Sequence, residues 1–540
     1  MNRKTSIKLL QSTTFDLLVV GGGITGAGIA LDAASRGLTV ALVEARDFGS
    51  GTSSRSTKLI HGGLRYLKQF EFKLVNEVGR ERAIVHRLAP HLVHPDKMLL
   101  PLIRNGNYGY WLTNVGLTVY DFLAGVEGND RRKMLSREDT LLAEPLLRAH
   151  DLEGGGLYAE YRTDDARLVM AVIKTAASLG ATVANYLKVN RLLDVQGKAK
   201  GVVVYDAESG NEFTINAKAV VNAAGPWVDD LRKMAGEPMK KHLRLTKGVH
   251  LVVSRQRLPI QQTVYFDNSD KRMIFAVPRG ATTYLGTTDT EYSGDLYEPL
   301  ATQSDVHYIL NAVNEMFPDC RLTLDDVESS WTGLRPLIHE EGKSASEVSR
   351  RDELFQAPNG LISIAGGKLT GYRKMAERVV DRVLTTLGMK HIACSTASIQ
   401  LTDAHFADYA EVQNLIEQLN HHHSNVFIAR TDARYLVENY GNSSVTIVQK
   451  ALTSGGDLKA LLAAEVAHAA NEEMCCTALD FWERRTGRLN FDIATVSLFS
   501  NEVIDFLASR LGWSHERRSV EAKSVQSAIA RASGLNGWRK

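Results

Sequence analysis

The residues from Phe15 to Glu44 restrict the fold of this chain more than any other stretch. Phe15–Val20 is a short apolar run, as expected of a buried parallel strand. Three glycines follow it in the spacing G-x-G-x-x-G: Gly21, Gly23 and Gly26. In that spacing the first glycine allows a tight turn, the second lets the backbone approach a pyrophosphate, and the third lets a helix pack closely on the strand. The motif therefore indicates a dinucleotide site at the end of the first strand.

The residues after the glycines complete a strand–helix–strand unit. We predict a helix over Ile24–Arg36, ended by Gly37, and a second strand over Leu38–Val43 with Glu44 at its end. The free N–H groups and the dipole at the start of the helix favour phosphate. A carboxylate about 20 residues beyond the glycines accepts hydrogen bonds from ribose hydroxyls. This order predicts binding of NAD or FAD, and its place near the start of a long chain favours FAD.

Composition excludes several classes of protein. The chain has 540 residues, of which 44% are hydrophobic and 23% charged, and its net charge of +2 gives no signal for nucleic acid. The first 14 residues lack the apolar core of a secretory signal. No apolar run approaches the roughly 18 residues of a membrane-spanning helix. Any contact with a membrane is therefore expected to be peripheral.

Disulfide and metal sites are not expected. The four cysteines are few and irregularly spaced, as is typical of a protein in a reducing cytoplasm: Cys320, Cys394, Cys475 and Cys476. His91 and His94 lie close together but have no carboxylates at ligand spacing. We therefore predict no metal ion.

A loop rich in Ser, Thr and Gly follows the second strand. It covers Gly49–Thr57 and lies at the carboxyl edge of the predicted sheet, where ligands bind in such folds. Lys58, His61 and Arg65 come soon after it, so a loop that faces the cofactor is favoured over a solvated linker. Lys73–Leu88 is predicted to be a basic amphipathic helix that either lies on a membrane surface or packs on the core.

The dinucleotide domain is predicted to be split by a second sheet. A helix over Asp164–Gly180 precedes a buried strand over Ala219–Trp227, which returns the chain to the first sheet. Alternating patterns then predict antiparallel strands, which we expect to build a substrate domain: His250–Val253, Thr263–Phe266, Met273–Pro278 and Thr283–Gly286.

A second strand–glycine–helix junction closes this part of the chain. The strand Gly360–Ala365 runs into Gly366–Thr370 and then into a helix over Tyr372–Leu387. The start of that helix and Lys368 offer positive charge to a phosphate or to an electron-rich ring. Residues 400–540 lack strand alternation and predict a separate helical domain.

Several side chains are candidates for chemistry at such a site. Phosphate binding requires guanidinium groups, for which Arg65, Arg335 and Arg351 are candidates, with Arg335 predicted to lie near a turn. Oxidation of an alcohol needs a base for the hydroxyl proton, and His61 and His250 are the candidates. Spacing alone does not choose among them, because a surface ion pair or a structural histidine explains each residue equally well.

Two signatures together carry a resemblance to a known family. They are VGGGITGAGIALDAASRG at Val20–Gly37 and GGKLTGYRKMA at Gly366–Ala376. Between them TSSRSTKLIHGGLRYL, NAAGPW, KGVHLVV, GTTD and GLRPL follow in the order that the family shows. The chain resembles the FAD-dependent, respiratory glycerol-3-phosphate dehydrogenases over roughly Phe15–Leu387. In the helical tail, DFWERRTG at Asp480–Gly487 resembles a further family segment.

The resemblance implies an α/β and α+β fold of the D-amino-acid-oxidase and glycine-oxidase type. A split Rossmann-like FAD-binding domain would be interleaved with an antiparallel-sheet substrate domain, and an all-helical C-terminal domain would follow. On this basis we divide the chain into an N-terminal extension at 1–14, an FAD-dependent oxidoreductase domain at 15–390 and a helical cap domain at 391–540.

The implied reaction is the oxidation of sn-glycerol 3-phosphate to dihydroxyacetone phosphate. Hydride would pass from C2 of the substrate to N5 of FAD, and a membrane quinone would accept the electrons. The implied location is the cytoplasm, with peripheral binding to the inner face of the cell membrane, and a homodimer through the helical tail stays open. Three alternatives also stay open: a glycerol-3-phosphate oxidase that uses oxygen and releases hydrogen peroxide, another flavin amine or hydroxy-acid oxidase, and a flavin-binding module without turnover.

Matched onto this chain, the resemblance implies a set of site residues. The catalytic residues would be His61 as the base, His250 as the second choice for the base, Arg335 and Lys368. The substrate phosphate is expected beside Arg65, Tyr66 and Arg351, with Arg350 the alternative to Arg351. Contacts to FAD are expected from a larger set: Gly21, Gly23, Ile24, Thr25, Gly26, Glu44, Ala45, Thr52, Ser53, Ser54, Lys58, Leu59, Ile60, Gly62, Gly63, Ala224, Gly225, Trp227, Gly366, Gly367, Lys368, Leu369 and Thr370. The Ser/Thr loop departs from the family pattern at Arg55 and Thr57.

Overall fold

A computed structural model of the chain describes residues 1–60, 72–109, 113–114, 116–118, 131–340, 352–423, 432–535 and 537–539. Its strands are β1 Thr14–Val20, β2 Val40–Val43, β3 Leu59–Ile60, β4 Val93–Ile103, β5 Lys133–Leu135, β6 Leu152–Thr163, β7 Thr182–Ala184, β8 Leu187–Val195, β9 Lys198–Asp206, β10 Asn211–Asn222, β11 Lys241–Ser254, β12 Thr263–Asp267, β13 Met273–Arg279, β14 Thr282–Gly286, β15 Thr290–Glu291, β16 Val327–Glu340, β17 Glu353–Gln356 and β18 Ile362–Ala365. Its helices are α1 Arg3–Ser12, α2 Ile24–Ser35, α3 Phe72–Leu88, α4 Arg137–Ala143, α5 Asp165–Ser178, α6 Val228–Met234, α7 Gln303–Met316, α8 Tyr372–Thr386, α9 Tyr409–His423, α10 Ala433–Tyr440, α11 Ser443–Thr453, α12 Leu458–Glu472, α13 Arg488–Phe491, α14 Ile493–Leu511 and α15 His515–Ala532.

The first sheet contains the predicted dinucleotide unit. Its strand order is β17-β18-β10-β1-β2-β7, and the strands from β18 to β7 are parallel. Such strands are buried on both faces, which explains the continuous apolar runs of β1 and β2. Helices α2, α5 and α8 cover one face and share its core with the strands. Because the strands are parallel, the turns after β1, β2, β10 and β18 all open at one edge of the sheet.

Strand β10 has a different partner for each of its halves. Residues Asn211–Asn216 pair antiparallel with β9, while the later residues pair in parallel with β1 and β18. The predicted strand over Ala219–Trp227 is therefore the second half of a longer strand. It ends at Asn222, and the predicted glycine turn is a short 3-10 turn at Gly225–Trp227.

The second sheet is mixed and has the order β15-β11-β14-β13-β12-β4-β6-β3, with β16 added to β11 and β5 to β6. Strands β11 and β16 pair along nearly their whole length, and Arg335 lies opposite Thr246 inside this ladder. The prediction that Arg335 lies near a turn is therefore wrong. Gly333, which suggested the turn, has another purpose, because a Cβ there would overlap the carbonyl oxygen of Arg55.

The N-terminal extension differs from expectation, whereas helix α3 follows one of its two predicted alternatives. The extension at 1–14 contains helix α1, whose start is capped by the Asn2 side chain and whose Leu10 is buried against Phe15 and other core residues. Its residue pattern is a weak signal for a helix because most of its side chains are polar. Helix α3 buries Val75, Val78 and Val85, so its apolar side packs on the core.

The C-terminal part of the chain is helical, as predicted. Helices α9–α15 enclose two apolar cores, and a π-helical turn over Asp480–Arg485 lies between α12 and α13. Together with the two sheets this confirms the fold class predicted from the sequence. In the part of the chain that the structure describes, no helix is both long and apolar enough to cross a bilayer.

Two buried histidines, one in β4 and one in the turn before it, lie against the C-terminal part of the chain. The His94 ring stacks on Tyr409, with the ring centres 5.3 Å apart, and accepts a hydrogen bond from Arg162. His91 lies against Phe406 and is 1% exposed. Burial lowers the pKa of His91 to about 3. Burial, together with the Arg162 charge, lowers the pKa of His94 to about 4.

This interface is predicted to weaken in acid. Above pH ~6.5 neither the folded nor the unfolded histidines are protonated, whereas below it the unfolded chain binds protons that the folded chain does not. Each histidine should therefore lower the free energy of unfolding by about 2 kcal/mol at pH 5 relative to pH 7. His94→Gln should flatten this dependence in urea titrations at the two pH values. His150→Gln, at an exposed position, is the control and should leave the dependence unchanged.

Candidate active site

A cavity of about 970 Å³ lies between the carboxyl edge of the first sheet and the second sheet. We call it the site cavity. It is lined by residues that come from distant parts of the chain, including most of the predicted site residues that the structure describes. Those lining residues are Gly21, Gly23, Ile24, Thr25, Glu44, Ala45, Thr52, Ser53, Leu59, Ala224, Gly225, Trp227, His250, Arg335, Gly366, Gly367, Lys368, Leu369 and Thr370.

The glycines after β1 form a tight backbone cradle at one end of the site cavity. Gly21 has a φ of +111°, and a Cβ on it would lie 2.5 Å from the carbonyl oxygen of Ala223. A Cβ on Gly26 would overlap the carbonyl oxygen of Gly21, so this residue serves the packing of α2 on β1. Both positions therefore require glycine for steric reasons.

Polar groups surround the start of α2. The Ser53 hydroxyl accepts a hydrogen bond from the Ile24 N–H at 3.0 Å. The Glu44 carboxylate accepts hydrogen bonds from the N–H groups of Gly22 at 2.6 Å and Arg46 at 2.9 Å. Burial raises the pKa of Glu44, and these hydrogen bonds oppose that effect. The end of the cavity beside α2 therefore combines a helix N-terminus, which favours an anion, with a carboxylate that can accept hydrogen bonds from hydroxyl groups.

The Ser/Thr loop connects the two sheets along the site cavity. The Thr52 hydroxyl donates to the Leu334 carbonyl at 2.7 Å, and Arg55 donates to the Tyr297 carbonyl at 3.0 Å. The Tyr297 ring lies against the Trp227 ring, with centres 4.6 Å apart. Most of the loop lines the cavity, as a cofactor-facing loop should.

The second sheet contributes His250 and Arg335 to the same cavity. His250 is 2% exposed, stacks on Trp331 with ring centres 4.7 Å apart, and shares a hydrogen bond of 3.0 Å between its Nε2 and the Thr57 hydroxyl. Its Nδ1 has no hydrogen-bond partner among the described residues. Burial, and then the charges of Arg335 and Lys58, lower the pKa of His250 well below its ordinary value. The imidazole is therefore neutral at pH 7.

The Arg335 guanidinium is held by the connection between β14 and β15. It donates to the Thr288 carbonyl and to the Thr287 hydroxyl, both at 3.1 Å, and lies 3.4 Å from the Asp289 carboxylate. Gly248 leaves room for it, because a Cβ there would overlap the guanidinium. This fixes a positive charge in the cavity close to the neutral His250.

The junction after β18 forms a further part of the wall of the site cavity. Gly366 and Gly367 have φ values of +75° and +82°, and a Cβ on Gly367 would lie 2.6 Å from Met375. Lys368 precedes a 3-10 turn over Leu369–Gly371, which leads directly into α8. The predicted strand–glycine–helix junction thus brings a lysine and the start of a helix to the cavity.

Four predicted cofactor residues lie outside the lining of the cavity. Gly26 packs against Gly21, as described above. Ile60 belongs to the apolar core of the first domain, and Ser54 is a buried residue of the Ser/Thr loop. Lys58 forms a buried ion pair of 2.5 Å with Asp165 and lies 3.9 Å from Asp164. Two carboxylates at the start of α5 thus hold the lysine in the protein interior.

Six predicted site residues lie outside the described residues: His61, Gly62, Gly63, Arg65, Tyr66 and Arg351. The alternative Arg350 is also among the residues that the structure does not describe. The roles assigned to these residues therefore stay predictions.

The structure also adds residues to the site that the sequence did not single out. Tyr297, Lys271 and Arg272 line the cavity, and Thr287–Asp289 position Arg335. The GTTD motif contains the last group, so this signal was present in the sequence without an assigned role. Among the described residues, no cluster of three or more His, Cys, Asp or Glu side chains could hold a metal ion.

Comparisons with known proteins agree with this geometry. Residues 16–373 match the family described as FAD dependent oxidoreductase, and residues 394–518 match the C-terminal domain of alpha-glycerophosphate oxidase. The chain is 46% identical over 538 residues to the aerobic glycerol-3-phosphate dehydrogenase of Bacillus subtilis, covering 98% of this chain and 97% of that protein.

Solved structures give the same result. The glycerol-3-phosphate dehydrogenase from Bacillus halodurans complexed with FAD is 42% identical, has a TM-score of 0.84, and the match covers 98% of this chain and 97% of that one. Glycine oxidase from Geobacillus kaustophilus has a TM-score of 0.53 at 23% identity, covering 72% of this chain and 99% of the other, and so shares the fold.

The cofactor is FAD, and the residues that line the site cavity fit it. The glycine cradle and the start of α2 would hold the pyrophosphate, and Glu44 would accept hydrogen bonds from ribose hydroxyls. Lys368 and the start of α8 would supply positive charge to the flavin ring. These assignments of single residues are predictions that substitution can test.

A methyl group at Gly21 is expected to prevent FAD binding. In Gly21→Ala the new Cβ collides with the Ala223 carbonyl and narrows the cradle, so the purified protein should contain little flavin by its absorbance near ~450 nm. Gly37→Ala is the matched control, since Gly37 also has a positive φ of +83° but nothing lies within 4 Å of its Cβ position. This control should lose about 1 kcal/mol of stability and keep its FAD. Equal flavin content in the two variants would contradict the prediction.

Proposed function

Because the chain belongs to the aerobic glycerol-3-phosphate dehydrogenases, a family of FAD-dependent oxidoreductases, we propose that it oxidises sn-glycerol 3-phosphate at C2 to dihydroxyacetone phosphate. The observation that carries this proposal is the site cavity, which leads from the glycine cradle to His250 and Arg335. Bound FAD supplies the acceptor for the hydride that leaves C2. The protein must then bind the phosphate, orient C2 and take the proton of its hydroxyl group.

The phosphate is proposed to bind to arginine side chains. Arg335 supports this, because three groups of the Thr287–Asp289 segment hold its guanidinium at the cavity. Arg65, Tyr66 and Arg351 are proposed to complete the phosphate site, as the resemblance implies. Guanidinium groups suit this purpose because they stay charged and bind phosphate through two parallel hydrogen bonds.

The hydroxyl proton is proposed to pass to His61, with His250 as the second candidate. His250 lies on the cavity and is neutral, and both properties are required of a base. Its strongly lowered pKa makes it a weak base, however, and its Nε2 is engaged with Thr57. These properties support His61 as the base and His250 as a group that orients the substrate.

The electrons are proposed to pass to a membrane quinone at the inner face of the cell membrane, to which the protein binds peripherally. The alternative acceptor is oxygen, as in a glycerol-3-phosphate oxidase. The match of residues 394–518 to a domain named after an oxidase makes this alternative worth testing directly.

Anaerobic mixing with glycerol 3-phosphate tests the substrate and the acceptor together. The substrate should bleach the flavin band near ~450 nm, and a quinone analogue should restore it much faster than air. Glycerol without phosphate is the control and should bleach it slowly, because it lacks the group that the arginines bind. Fast reoxidation by air would establish the oxidase, and no bleaching would contradict the proposed substrate.

The pH dependence of flavin reduction distinguishes the two histidines. A base with the ordinary histidine pKa of about 6.5 is protonated as the pH falls, so the rate at saturating substrate should decrease below pH ~6.5. His61→Asn should lower that rate by ~10²–10⁴-fold. A base role for His250 would instead give a flat profile as the pH falls through ~6.5, since burial holds its pKa well below that value. That flat profile, with a nearly unchanged rate in His61→Asn, would move the role to His250.

A further inference from the structure

The segment Asp480–Gly487, with the sequence DFWERRTG, contacts the loop of the FAD site. Its two arginines reach out of the helical domain to Asp47. Arg484 donates from Nε to Oδ2 of Asp47 at 2.6 Å, and Arg485 donates from two nitrogens to both oxygens at 2.8 Å. Asp47 lies three residues after Glu44, in the connection between β2 and the Ser/Thr loop. The segment therefore touches the stretch of chain that lines the site cavity.

Asp47 has few other partners. Its carboxylate is fully buried, and besides the two arginines the described residues provide one more donor, the Asn185 side chain at 3.1 Å. Burial alone would raise the pKa of Asp47, but the charges of Arg485 and Arg484 hold it below its ordinary value. The carboxylate is therefore ionised. A buried ionised group needs charged partners, and here the C-terminal domain supplies them.

A second contact reaches the other end of the same loop. Glu483 lies 3.5 Å from the Arg55 guanidinium and accepts a hydrogen bond from Arg484 at 2.6 Å. Arg55 lines the site cavity, and its backbone passes so close to Gly333 that only glycine fits there. The residues from Asp480 to Arg485 thus fasten the loop at Asp47 and at Arg55.

The remaining charges around the segment balance. Arg484 also pairs with Asp480 at 2.9 Å, and Arg485 lies 3.6 Å from Glu473. Glu473 is bound through both oxygens by Arg167 of α5. Each arginine therefore also has a carboxylate partner inside the C-terminal domain, and Asp47 is the carboxylate outside that domain that both arginines share.

We propose that Asp480–Gly487 is part of the cofactor site, in which Glu483, Arg484 and Arg485 are positioning residues that hold residues 44–57 in the shape that binds FAD. None of the three lines the site cavity, so they act through Asp47 and Arg55. This role involves FAD binding alone and does not depend on the substrate or on the electron acceptor. It also gives the C-terminal domain a role in cofactor binding by the first domain.

The competing explanation is that these ion pairs only stabilise the helical domain. A matched control separates the two explanations. Arg488 and Glu465 form a buried ion pair of 2.8 Å, with Arg488 lying over the Tyr435 ring, all within the C-terminal helices. Arg488→Gln therefore breaks an ion pair that resembles the Arg485–Asp47 pair in burial and charge but does not contact residues 44–57.

The test measures FAD binding to the full-length protein without any substrate. FAD is removed and added back to Arg485→Gln, Arg485→Lys, Glu483→Gln and Arg488→Gln, and the dissociation constant is read from flavin fluorescence and the unfolding temperature from the apoprotein. Arg485→Gln should weaken FAD binding by about 10–100-fold. Arg485→Lys should restore part of the affinity because it keeps the charge. Arg488→Gln should lower the unfolding temperature yet change the affinity less than about 2-fold.

Glu483→Gln keeps the test decisive if Arg485→Gln does not fold. Glu483 and Arg55 are each 18% exposed, so this substitution is mild and the protein should remain folded. It should weaken FAD binding by about 5-fold and change the circular dichroism of the bound flavin, whereas Arg488→Gln should leave that spectrum unchanged. Wild-type affinity and spectrum in Glu483→Gln, or an affinity loss in Arg488→Gln as large as in the other variants, would overturn the proposal.

Discussion

The rest of the structure depends on one constraint, which is that the ends of β1, β2 and β10 lie side by side. The Ala223 N–H donates to the Val20 carbonyl, and the Gly21 N–H donates to the Val43 carbonyl, both at 2.8 Å. These two bonds hold the ends of β1, β2 and β10 side by side, so that the turns after them open towards one space. Glycine at position 21 makes the alignment sterically possible. The positions of the glycine cradle, of Glu44 and of the turn at Ala224–Trp227 all depend on this alignment.

The second requirement is the fixed placement of charges in and around the site cavity, which lies between the two sheets. Arg335, Lys58 and Asp47 are all partly or fully withdrawn from water, and each is held by partners on another element. An isolated buried charge is costly, so each of these contacts also fixes where its element lies. His250 shows the opposite case, since burial, and then the positive charges of Arg335 and Lys58, keep it neutral. Electrostatics thus sets both the shape of the cavity and the protonation of the groups that line it.

Local patterns in the sequence predicted the first sheet well and the contacts between elements poorly. The βαβ unit, the junction after β18 and the C-terminal helices were predictable because apolar periodicity, glycines and caps lie within single segments. The turn assigned to Arg335 was wrong because Gly333 serves a close approach to Arg55, which is remote in sequence. The resemblance assigns Lys58 to the cofactor, whereas Lys58 pairs with Asp165, which lies 107 residues away and therefore gives no local signal. Side-chain partners at such distances follow from tertiary packing alone.

The pairing of β10 with strands that are distant in sequence has a consequence for folding during synthesis of the chain. β1 leaves the ribosome early, but its neighbour β10 follows about 200 residues later, and β18 more than 300 residues later. At about 5–20 residues per second, the first strand waits tens of seconds with an apolar edge unpaired. FAD cannot find its complete binding surface during that time. FAD can therefore bind only after most of the chain has been synthesised. Until then the unpaired edge of the first strand must be protected from aggregation.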